Sequence, residues 1–419
     1  MTQLAVDGGK PFRAQPFPPR TPFGEEEVDL VAKAIRSQNL FGLGGPMVTE
    51  FEQRFAALYE AKQGVACSSG TAAIHIAIGT INPDPGDEII TAPITDGGTI
   101  VPILYQNAIP VFADVDETCN MNPCDVEAKI TKRTKALLVV HLFGNPCDMD
   151  AMVDIARRHK LALIEDCSQA HMTQYKGRLV GTIGDIGCFS LQQSKHMTCG
   201  DGGVAITNNE GLIPRMEGFR DKGWTRKPGW GARTYAFLAP NYRMTELQGA
   251  VGIAQTKKVG EVVRKRNTLG ELLSASIRGA PGVSPTPTTP GGTPTYWTYA
   301  LQVTQGDTDA FAAALNAEGV PASAHYIGLP IFLCMEALAN KVTFGTSQYP
   351  LDGSHGGRQI EYTSGMCPNT ERALGRLVTL PLHEDLSRED VLDMAGAVRK
   401  VAEGLATGAT GGTGDAGLE

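Results

Sequence analysis

The chain has 419 residues, of which 42% are hydrophobic and 20% charged, a composition typical of soluble globular proteins. Its formal net charge of −8 gives no support to nucleic-acid binding, which usually shows as a basic surplus. No stretch approaches the roughly 18 apolar residues of a membrane span, and the polar, proline-rich N-terminus lacks the apolar core of a signal peptide. We therefore expect a cytoplasmic protein that binds neither nucleic acid nor membrane.

The nine cysteines form no C-x-x-C pair, and their number is odd. Several fall within apolar runs that resemble buried strands. This usage is typical of reduced core thiols in a cytosolic protein rather than of disulfides or metal ligands. No metal site is predicted.

The first 24 residues predict an extended lead-in because they are rich in proline. Residues 24–37 then space Val28, Val31 and Ile35 as one apolar helix face, with glutamates in the first turn. The chain is thus expected to enter its large domain through a helix.

A second helix is predicted shortly afterwards. Thr49 and Glu52 have the spacing of a capping box, in which the two side chains close the start of a helix. They lie around an apolar face of Phe51, Phe55 and Leu58. That face is expected to pack on the core.

Short apolar runs then alternate with helical or turn-rich stretches. The runs are 64–67, 87–92, 109–115, 135–143, 161–166, 185–191 and 203–207. Nearly continuous apolar strands between helices indicate a mainly parallel sheet that is covered on both faces. In such sheets ligands bind beyond the carboxyl ends of the strands, so the residues after each run are the candidates for a site.

The C-terminal part predicts a smaller α/β domain. Its predicted elements are a long helix from Thr245 to about Ile277, a loop over 279–295, strands over 296–304 and 320–326, a helix over 307–319 and a last helix capped at Ser387. We place the large domain at 25–260 and the small domain at 261–405. The Gly-rich stretch 334–375 is interpreted as a lid or an interface, and residues 406–419 as a disordered tail.

The first candidate for ligand binding is the run Ser68-Ser69-Gly70-Thr71-Ala72, which follows a strand and opens an apolar helix. Hydroxyls and a glycine at a helix N-terminus expose free amides, and the helix dipole favours an anion such as phosphate there. The same residues also make an ordinary N-cap. Both interpretations remain open from the residues alone.

Asp166 ends the strand 161–166, at the expected position of the ligand crevice. A carboxylate there can keep a pyridine nitrogen protonated, which makes the ring an electron sink. The alternatives are a metal ligand or a cap for the next turn.

Lys195 comes five residues after Ser190, between a buried strand and a turn rich in glycine. A lysine that forms a Schiff base must reach a cofactor aldehyde and be partly desolvated, so that its amine is a nucleophile. Most loop lysines are solvated surface charges, but this context favours a functional one. The Ser190 hydroxyl is placed to hold a phosphate on the same side.

Four motifs occur in a fixed order: S-G-T-A, E-D-x-x-Q-A-H, F-S-x-x-x-x-K-x-x-T-x-G-x-G-G and N-Y-R-M-T-E-L-Q. In this order they resemble the DegT/DnrJ/EryC1/StrS family of sugar and cyclitol aminotransferases, which are pyridoxal 5′-phosphate (PLP) enzymes of fold type I. The resemblance covers residues from about 20 to 400. It implies an α/β fold with a large PLP-binding domain and a smaller C-terminal domain.

The resemblance also implies roles for individual residues. Lys195 would form the Schiff base and carry the proton, Asp166 would pair with the pyridine nitrogen, and Gln169 would lie by the ring hydroxyl. Gly70, Thr71 and Ser190 would hold the phosphate. Asn241 would reach the phosphate from a neighbouring subunit, which implies a homodimer with shared active sites.

One segment departs from the family pattern. A P-x-x-T-aromatic sequence, whose aromatic side chain stacks on the cofactor, is usual after the second strand, but this chain has Asp96 at the aromatic position. Either another side chain covers the ring or the loop is shifted by a residue or two. We expect Asp96 to orient a cofactor or substrate group and expect no aromatic stacking from it.

Further residues lie near the predicted crevice. His325 and Tyr326 resemble a substrate-facing H-Y segment of the family, and Arg243 is placed either to meet an acidic substrate group or to form a structural ion pair. His141 follows a strand but is interpreted as a structural histidine. The tryptophans of the Gly-rich stretch near 224–231, Trp224 and Trp230, are expected to pack in the core or an interface.

The predicted activity is transamination by a ping-pong mechanism. The amino group of L-glutamine or L-glutamate would pass through PLP and pyridoxamine phosphate (PMP) to a keto-sugar or keto-cyclitol in a biosynthetic pathway. One alternative is a dehydratase of the same family, in which a histidine replaces the lysine; His196 lies next to Lys195. The other is a non-catalytic PLP-binding regulator.

Overall fold

A computed structural model describes residues 3–224, 234–354 and 359–408. Residues 407 and 408 are described by their backbone only. In chain order the helices are α1 (Glu25–Arg36), α2 (Pro46–Leu58), α3 (Gly70–Ile81), α4 (Gly97–Tyr105), α5 (Pro123–Lys129), α6 (Met149–His159), α7 (Ile213–Arg220), α8 (Glu246–Ile277), α9 (Thr308–Ala317), α10 (Ile331–Cys334), α11 (Glu336–Ala339), α12 (Pro368–Arg376) and α13 (Arg388–Gly408). The strands are β1 (Gln63–Cys67), β2 (Glu88–Thr91), β3 (Ile109–Phe112), β4 (Thr134–Val140), β5 (Ala162–Asp166), β6 (Gln174–Tyr175), β7 (Arg178–Leu179), β8 (Ile186–Ser190), β9 (Gly203–Thr207), β10 (Val283–Pro285), β11 (Gly292–Thr293), β12 (Tyr299–Val303), β13 (Ser323–Ala324) and β14 (Leu377–Leu380).

A seven-stranded sheet forms the centre of the large domain, in the order β1-β9-β8-β5-β4-β2-β3. The pairs from β8 through β3 are parallel, and β9 runs antiparallel to both of its neighbours. The seven predicted apolar runs are these seven strands, so the prediction of a mainly parallel sheet is confirmed. The carboxyl ends of all strands except β9 therefore lie on one edge.

The second sheet is antiparallel, in the order β10-β12-β14-β13. It packs with α9 and α13 around a separate apolar cluster that includes Leu301, Phe311, Leu380 and Val398. Leu4 of the lead-in belongs to the same cluster. The N-terminal lead-in thus packs on the C-terminal part of the chain.

The helix α8 joins the two parts without interruption. Thr245 caps it and forms a capping box with Gln248. The helix ends at Ile277, as the sequence predicted. Because α8 is continuous, the domain boundary that we placed between residues 260 and 261 falls within one helix.

The predicted apolar face of the first helix is wrong for two of its three residues. Val28 and Ile35 are 59% and 51% exposed, whereas Val31 packs on the core cluster. The inward face also contains the buried Glu27 and Ala34, and the Glu27 carboxylate binds Nζ of Lys258 in α8 at 2.6 Å.

The predicted capping box of the second helix is also wrong, because α2 begins at Pro46 and Thr49 lies inside it. Glu52 instead accepts a hydrogen bond of 2.8 Å from the backbone of β1. The apolar face itself is confirmed, since Phe51 and Phe55 are fully buried.

Two predictions for the small domain are corrected. The strand expected over 320–326 has only two residues, and His325 and Tyr326 adopt left-handed backbone conformations with φ of 63° and 51°. The last helix reaches Gly408, which is three residues into the predicted tail. Residues 409–419 lie outside the described residues.

The stretch 334–375, interpreted as a lid or an interface, packs against the edge strand β3 and the helix α4. Tyr362 contacts Phe112 of β3 with ring centroids 5.6 Å apart, and Phe344 contacts Tyr105 of α4 with ring centroids 5.8 Å apart. The Tyr362 hydroxyl donates to the carbonyl oxygen of Pro110 at 2.7 Å. The segment therefore covers the edge of the large sheet.

All nine cysteines are described and none forms a disulfide. Among the described helices, none combines the length and apolarity needed to cross a membrane.

Candidate active site

A cavity of about 370 Å³ lies at the carboxyl edge of the large sheet. The end of β4 and the loops after β1, β2, β5 and β8 reach it. Its lining residues are Ser69, Gly70, Thr71, Ile74, Thr95, Asp96, Gly98, Thr99, Val140, Asp166, Ser168, Gln169, Ser190, Gln192, Ser194, Lys195, Asp201, Trp297 and Tyr326. This is where the rule for parallel sheets places a ligand.

The start of α3 forms one wall of the cavity and has the chemistry of a phosphate site. Ser69 caps the helix and accepts a hydrogen bond from the amide of Ala72 at 3.0 Å, which leaves earlier amides free for an anion. A Cβ on Gly70 would lie 2.6 Å from Cβ of Ser190, so only glycine lets this backbone approach so closely. The hydroxyls of Thr71 and Ser190 line the same wall.

Asp166 lies at the end of β5 and is 3% exposed. Its Oδ2 accepts a hydrogen bond from Oγ1 of Thr99 at 2.8 Å, and its Oδ1 accepts one from the amide of Ser168 at 3.0 Å. Thr99 is held in turn by Thr95, with the two hydroxyl oxygens 2.7 Å apart. Sequence reasoning missed both threonines, although their i, i+4 spacing at the start of α4 is a signal that could have found them.

Gln169 and Tyr326 form a second polar pair in the cavity. The Gln169 amide receives a hydrogen bond from the backbone of Phe143 at 2.8 Å and donates to the Tyr326 hydroxyl at 3.1 Å. Burial raises the pKa of Tyr326 to about 12. The hydroxyl thus stays protonated and can donate into the cavity.

Lys195 lines the cavity, and burial lowers its pKa to about 8, although Asp166 and Asp96 act in the opposite direction. Its Nζ lies 4.0 Å from the centre of the Trp297 ring. More of the amine is therefore uncharged near neutral pH than in an ordinary lysine, which favours its action as a nucleophile. Sequence reasoning missed the contact with Trp297, which lies far away along the chain.

His196 occupies a different environment from its neighbour. It is fully buried, and its Nε2 donates to the carbonyl oxygen of Thr295 at 2.9 Å. It does not line the cavity, whereas Lys195 does. The geometry thus favours the lysine over the histidine at the reacting position.

Asp96 lines the mouth of the cavity as the exposed N-cap of α4. Its Oδ1 accepts a hydrogen bond from the amide of Gly98 at 2.7 Å. Within the described residues the aromatic side chains that line the cavity are Trp297 and Tyr326. Both come from the C-terminal part of the chain rather than from the loop after β2.

Three predicted site residues do not line the cavity of their own chain. The ring nitrogens of His325 contact the carbonyl of Leu374 at 3.0 Å and the carboxylate of Asp309 at 3.2 Å. Arg243 forms an ion pair with Asp221, which agrees with the structural alternative that we left open. Asn241 is exposed and pairs by its backbone with Asp221.

His141 is a structural residue, as expected. Its Nδ1 accepts from the amide of Cys147 at 3.1 Å, and its Nε2 donates to Glu165 at 3.1 Å. Glu165 also accepts hydrogen bonds from the amides of three residues in the loop before β8. Burial raises the pKa of the adjacent Cys167 thiol, which therefore stays protonated.

Trp224 packs against Tyr235 with ring centroids 5.8 Å apart and does not line the cavity. Trp230 lies outside the described residues.

Comparisons with known proteins agree with this geometry. Residues 22–399 match the DegT/DnrJ/EryC1/StrS aminotransferase family. The chain is 34% identical over 419 residues to an L-glutamine:2-deoxy-scyllo-inosose aminotransferase of Streptoalloteichus tenebrarius, covering 95% of this chain and 97% of that protein. It is 39% identical over 294 residues to a protein of Micromonospora echinospora described as a putative L-glutamine:3-amino-2,3-dideoxy-scyllo-inosose aminotransferase, covering 68% and 69% of the two chains.

Solved structures show the same fold. DesV of S. venezuelae, determined in complex with a ketimine intermediate, superposes with a TM-score of 0.80 at 29% identity and covers 90% of this chain and 95% of that one. An aminotransferase from Psychrobacter cryohalolentis gives a TM-score of 0.82 at 28% identity, over 93% and 100% of the chains. The chain therefore belongs to the DegT/DnrJ/EryC1/StrS family and is a PLP-dependent aminotransferase of aminosugar or aminocyclitol biosynthesis.

Proposed function

We propose that this enzyme transfers the amino group of L-glutamine to a keto-cyclitol related to 2-deoxy-scyllo-inosose. The observation that carries the choice of acceptor is the charge of the cavity. Among the described residues that line it, Lys195 is the sole cation and no arginine is present. A nucleotide-linked sugar brings a diphosphate that calls for such cations, whereas a cyclitol is uncharged. Relatives that use L-glutamine and an inosose support the same choice.

The residues of the cavity fit PLP. Gly70, Thr71 and Ser190 would hold the phosphate at the start of α3, and Asp166 would face the ring nitrogen. Gln169 would lie beside the ring hydroxyl. When bound, PLP supplies an aldehyde that takes up the amino group and a ring that withdraws electrons from the reacting carbon.

Lys195 carries the proton transfers in this proposal. Its uncharged Nζ first acts as a nucleophile and then, once free, takes the α-proton of the donor and gives a proton back at the next step. The enzyme would alternate between its PLP and PMP forms in a ping-pong cycle. Asp166, fixed by Thr99 and the amide of Ser168, would accept a hydrogen bond from the protonated ring nitrogen. The buried hydroxyl of Tyr326 orients Gln169.

We further propose a homodimer in which Asn241 completes the phosphate site of the partner subunit. Its exposed position outside the cavity of its own chain supports this role. The unpaired cysteines fit a reducing compartment, which supports a cytoplasmic location.

The first test follows the cofactor spectrum of the purified enzyme after addition of L-glutamine or L-glutamate, with Lys195→Ala as the control. We expect L-glutamine to bleach the visible band of the wild type. The Lys195→Ala variant is expected to show no catalytic turnover with L-glutamine. The PMP form is then given 2-deoxy-scyllo-inosose or a nucleotide-linked 4-keto-sugar. Recovery of the band with the nucleotide sugar alone would overturn the proposed acceptor, and a wild type that gains no band with PLP would overturn the whole assignment.

The shared site is tested by mixing two inactive variants, Lys195→Ala and Asn241→Ala, after partial unfolding. In a dimer with shared sites, mixed dimers contain one intact site, so activity reappears. Continued inactivity of a demonstrated mixed dimer would contradict the role of Asn241.

A further inference from the structure

Three charged side chains from distant parts of the chain meet behind the lysine loop, which we define as residues 192–196. Arg20 belongs to the lead-in, Arg266 to the middle of α8, and Glu384 to the segment between β14 and α13. Glu384 binds Nε of Arg20 at 2.8 Å through one oxygen and Arg266 at 2.8 Å through the other. The side chains are 14%, 1% and 8% exposed for Arg20, Arg266 and Glu384. We call this group the arginine–glutamate brace.

The brace binds the lysine loop directly. Arg20 donates from its two terminal nitrogens to the carbonyl oxygens of Gln193 and His196, each at 3.1 Å. These carbonyls lie on either side of Lys195. Hydrogen bonds from a charged guanidinium are stronger than those between neutral groups and fix the plane of the acceptor peptide. The backbone from which the lysine projects is therefore held from both sides.

A second connection passes through Trp297. Arg266 donates to the carbonyl oxygen of Trp297 at 3.2 Å, and the indole Nε1 donates to the carbonyl oxygen of Ser194 at 3.0 Å. The same indole ring lies 4.0 Å from Nζ of Lys195. Segments far from the lysine in sequence thus determine both the course of its loop and the surface against which its amine rests.

The brace remains charged despite its burial. Burial lowers the pKa of Arg266, but only to about 10, so the guanidinium is protonated at neutral pH. Burial alone would raise the pKa of Glu384, yet the neighbouring arginines outweigh it and the pKa is lowered. A buried ion pair is retained at a cost in desolvation, which is one reason to look for a specific role for it.

We propose that Arg20, Arg266 and Glu384 are positioning residues that hold Lys195 at the reacting carbon, and that the lead-in and the small domain thereby control the catalytic lysine. The inference rests on the proposed role of Lys195. A displacement of a reacting group by about 1 Å costs roughly 100-fold in rate. We therefore expect loss of the Arg20 fork to slow the first half-reaction by about 10- to 100-fold.

The chain offers a matched control in Arg13. This residue also belongs to the lead-in, is 14% exposed like Arg20, and forms ion pairs with Asp390 and Asp393 of α13. The other hydrogen bonds of its side chain go to backbone carbonyls of its own segment rather than to the lysine loop. Arg13→Gln thus removes a comparable anchor between the lead-in and the small domain without contacting Lys195.

The test compares Arg20→Gln with Arg13→Gln, because Glu384→Gln would leave the buried charge of Arg266 unpaired and endanger folding. In the proteins without cofactor, amide hydrogen exchange of the peptide 190–199 is expected to accelerate at least about tenfold in Arg20→Gln only. In the loaded enzymes, single-turnover bleaching with L-glutamine is expected to slow in Arg20→Gln only. Arg20→Lys should restore part of the rate, because one ammonium can reach one of the two carbonyls.

Equal exchange and equal single-turnover rates in the two Gln variants would overturn the positioning role. If Arg20→Gln does not fold, Trp297→Phe provides the second test, because it keeps a smaller aromatic ring beside Lys195 and removes the indole hydrogen bond to Ser194. A wild-type rate and exchange in Trp297→Phe would then count against the proposal. Failure of the wild type itself to gain the cofactor band would instead refute the proposed function, so the two failures are distinguishable.

Discussion

Replacement of Gly70 by alanine is expected to weaken the phosphate site selectively. A Cβ at position 70 would lie 2.6 Å from Cβ of Ser190, whereas ordinary contacts begin at 3.4 Å, so either the start of α3 or the end of β8 must move by about 0.8 Å. Neither can move freely, because Ser190 belongs to a fully buried strand and even a Cβ on the neighbouring Gly203 would lie 2.2 Å from the carbonyl oxygen of Ser69. Overpacking of this kind costs about 1–3 kcal/mol.

If that cost falls on the bound state, the Kd for PLP rises by about 5- to 150-fold, since each 1.4 kcal/mol is a factor of ten. The measurement is a titration of the protein without cofactor by PLP and, separately, by pyridoxal, which lacks the phosphate. We expect Gly70→Ala to weaken PLP binding and to leave pyridoxal binding nearly unchanged. Gly260→Ala is the control, because a Cβ there meets no atom within 4 Å. A Gly70→Ala protein that binds PLP within twofold of the wild type would refute the reasoning.

The remaining predictions concern charges around the cavity. Asp96 raises the pKa of Lys195 above the value that burial alone would give, so Asp96→Asn should lower the pKa of Lys195 below about 8. When PLP is added to the cofactor-free protein, the pH dependence with which the cofactor band appears should then move to lower pH. An unmoved pH dependence would contradict this. Thr99→Val removes a hydrogen-bond donor to the buried Asp166. A hydrogen bond to a charged group is worth about 1.5–3 kcal/mol, so the single-turnover rate should fall tenfold or more. A rate unchanged from wild type would show that the amide of Ser168 alone suffices to hold Asp166. Glu165→Gln leaves three amides and a histidine without their carboxylate, so urea unfolding should show a loss of about 3–5 kcal/mol, whereas a loss below about 1 kcal/mol would contradict a structural role.

The parts of the fold that the sequence predicted well are those in which one local rule decides. The seven buried strands are nearly continuous apolar runs, and Asp166, Ser190 and the start of α3 reach the cavity because each ends or closely follows such a strand. The side of a sheet on which parallel strands end is fixed by the topology, so strand-end residues needed no knowledge of their partners. Lys195 followed from its place between β8 and a glycine-rich turn.

The errors occur where a partner distant in the sequence decides. Val28 and Ile35 of α1 were misassigned to the buried face, which instead contains Glu27, paired with Lys258 at 231 positions further along the chain. His325 and Tyr326 were assigned the same role as neighbours in one motif. Their left-handed backbone sends Tyr326 into the cavity and leaves His325 on Asp309 and Leu374. A spacing rule has no means of detecting such a backbone conformation.

The same distinction explains why the immediate surroundings of the lysine were not predicted although the lysine was. Trp297 binds Ser194 of the lysine loop across a sequence separation of 103 residues. Arg20 binds Gln193 of the same loop across a separation of 173 residues. Neither belongs to a motif, and each would pass for a packing residue or a surface charge. Their effect is nevertheless on Lys195 itself, since the Trp297 ring lies 4.0 Å from its Nζ and Arg20 binds the carbonyls on either side of it. The large domain supplies most of the residues that line the cavity around the lysine, and the lead-in and the small domain add contacts that hold its loop.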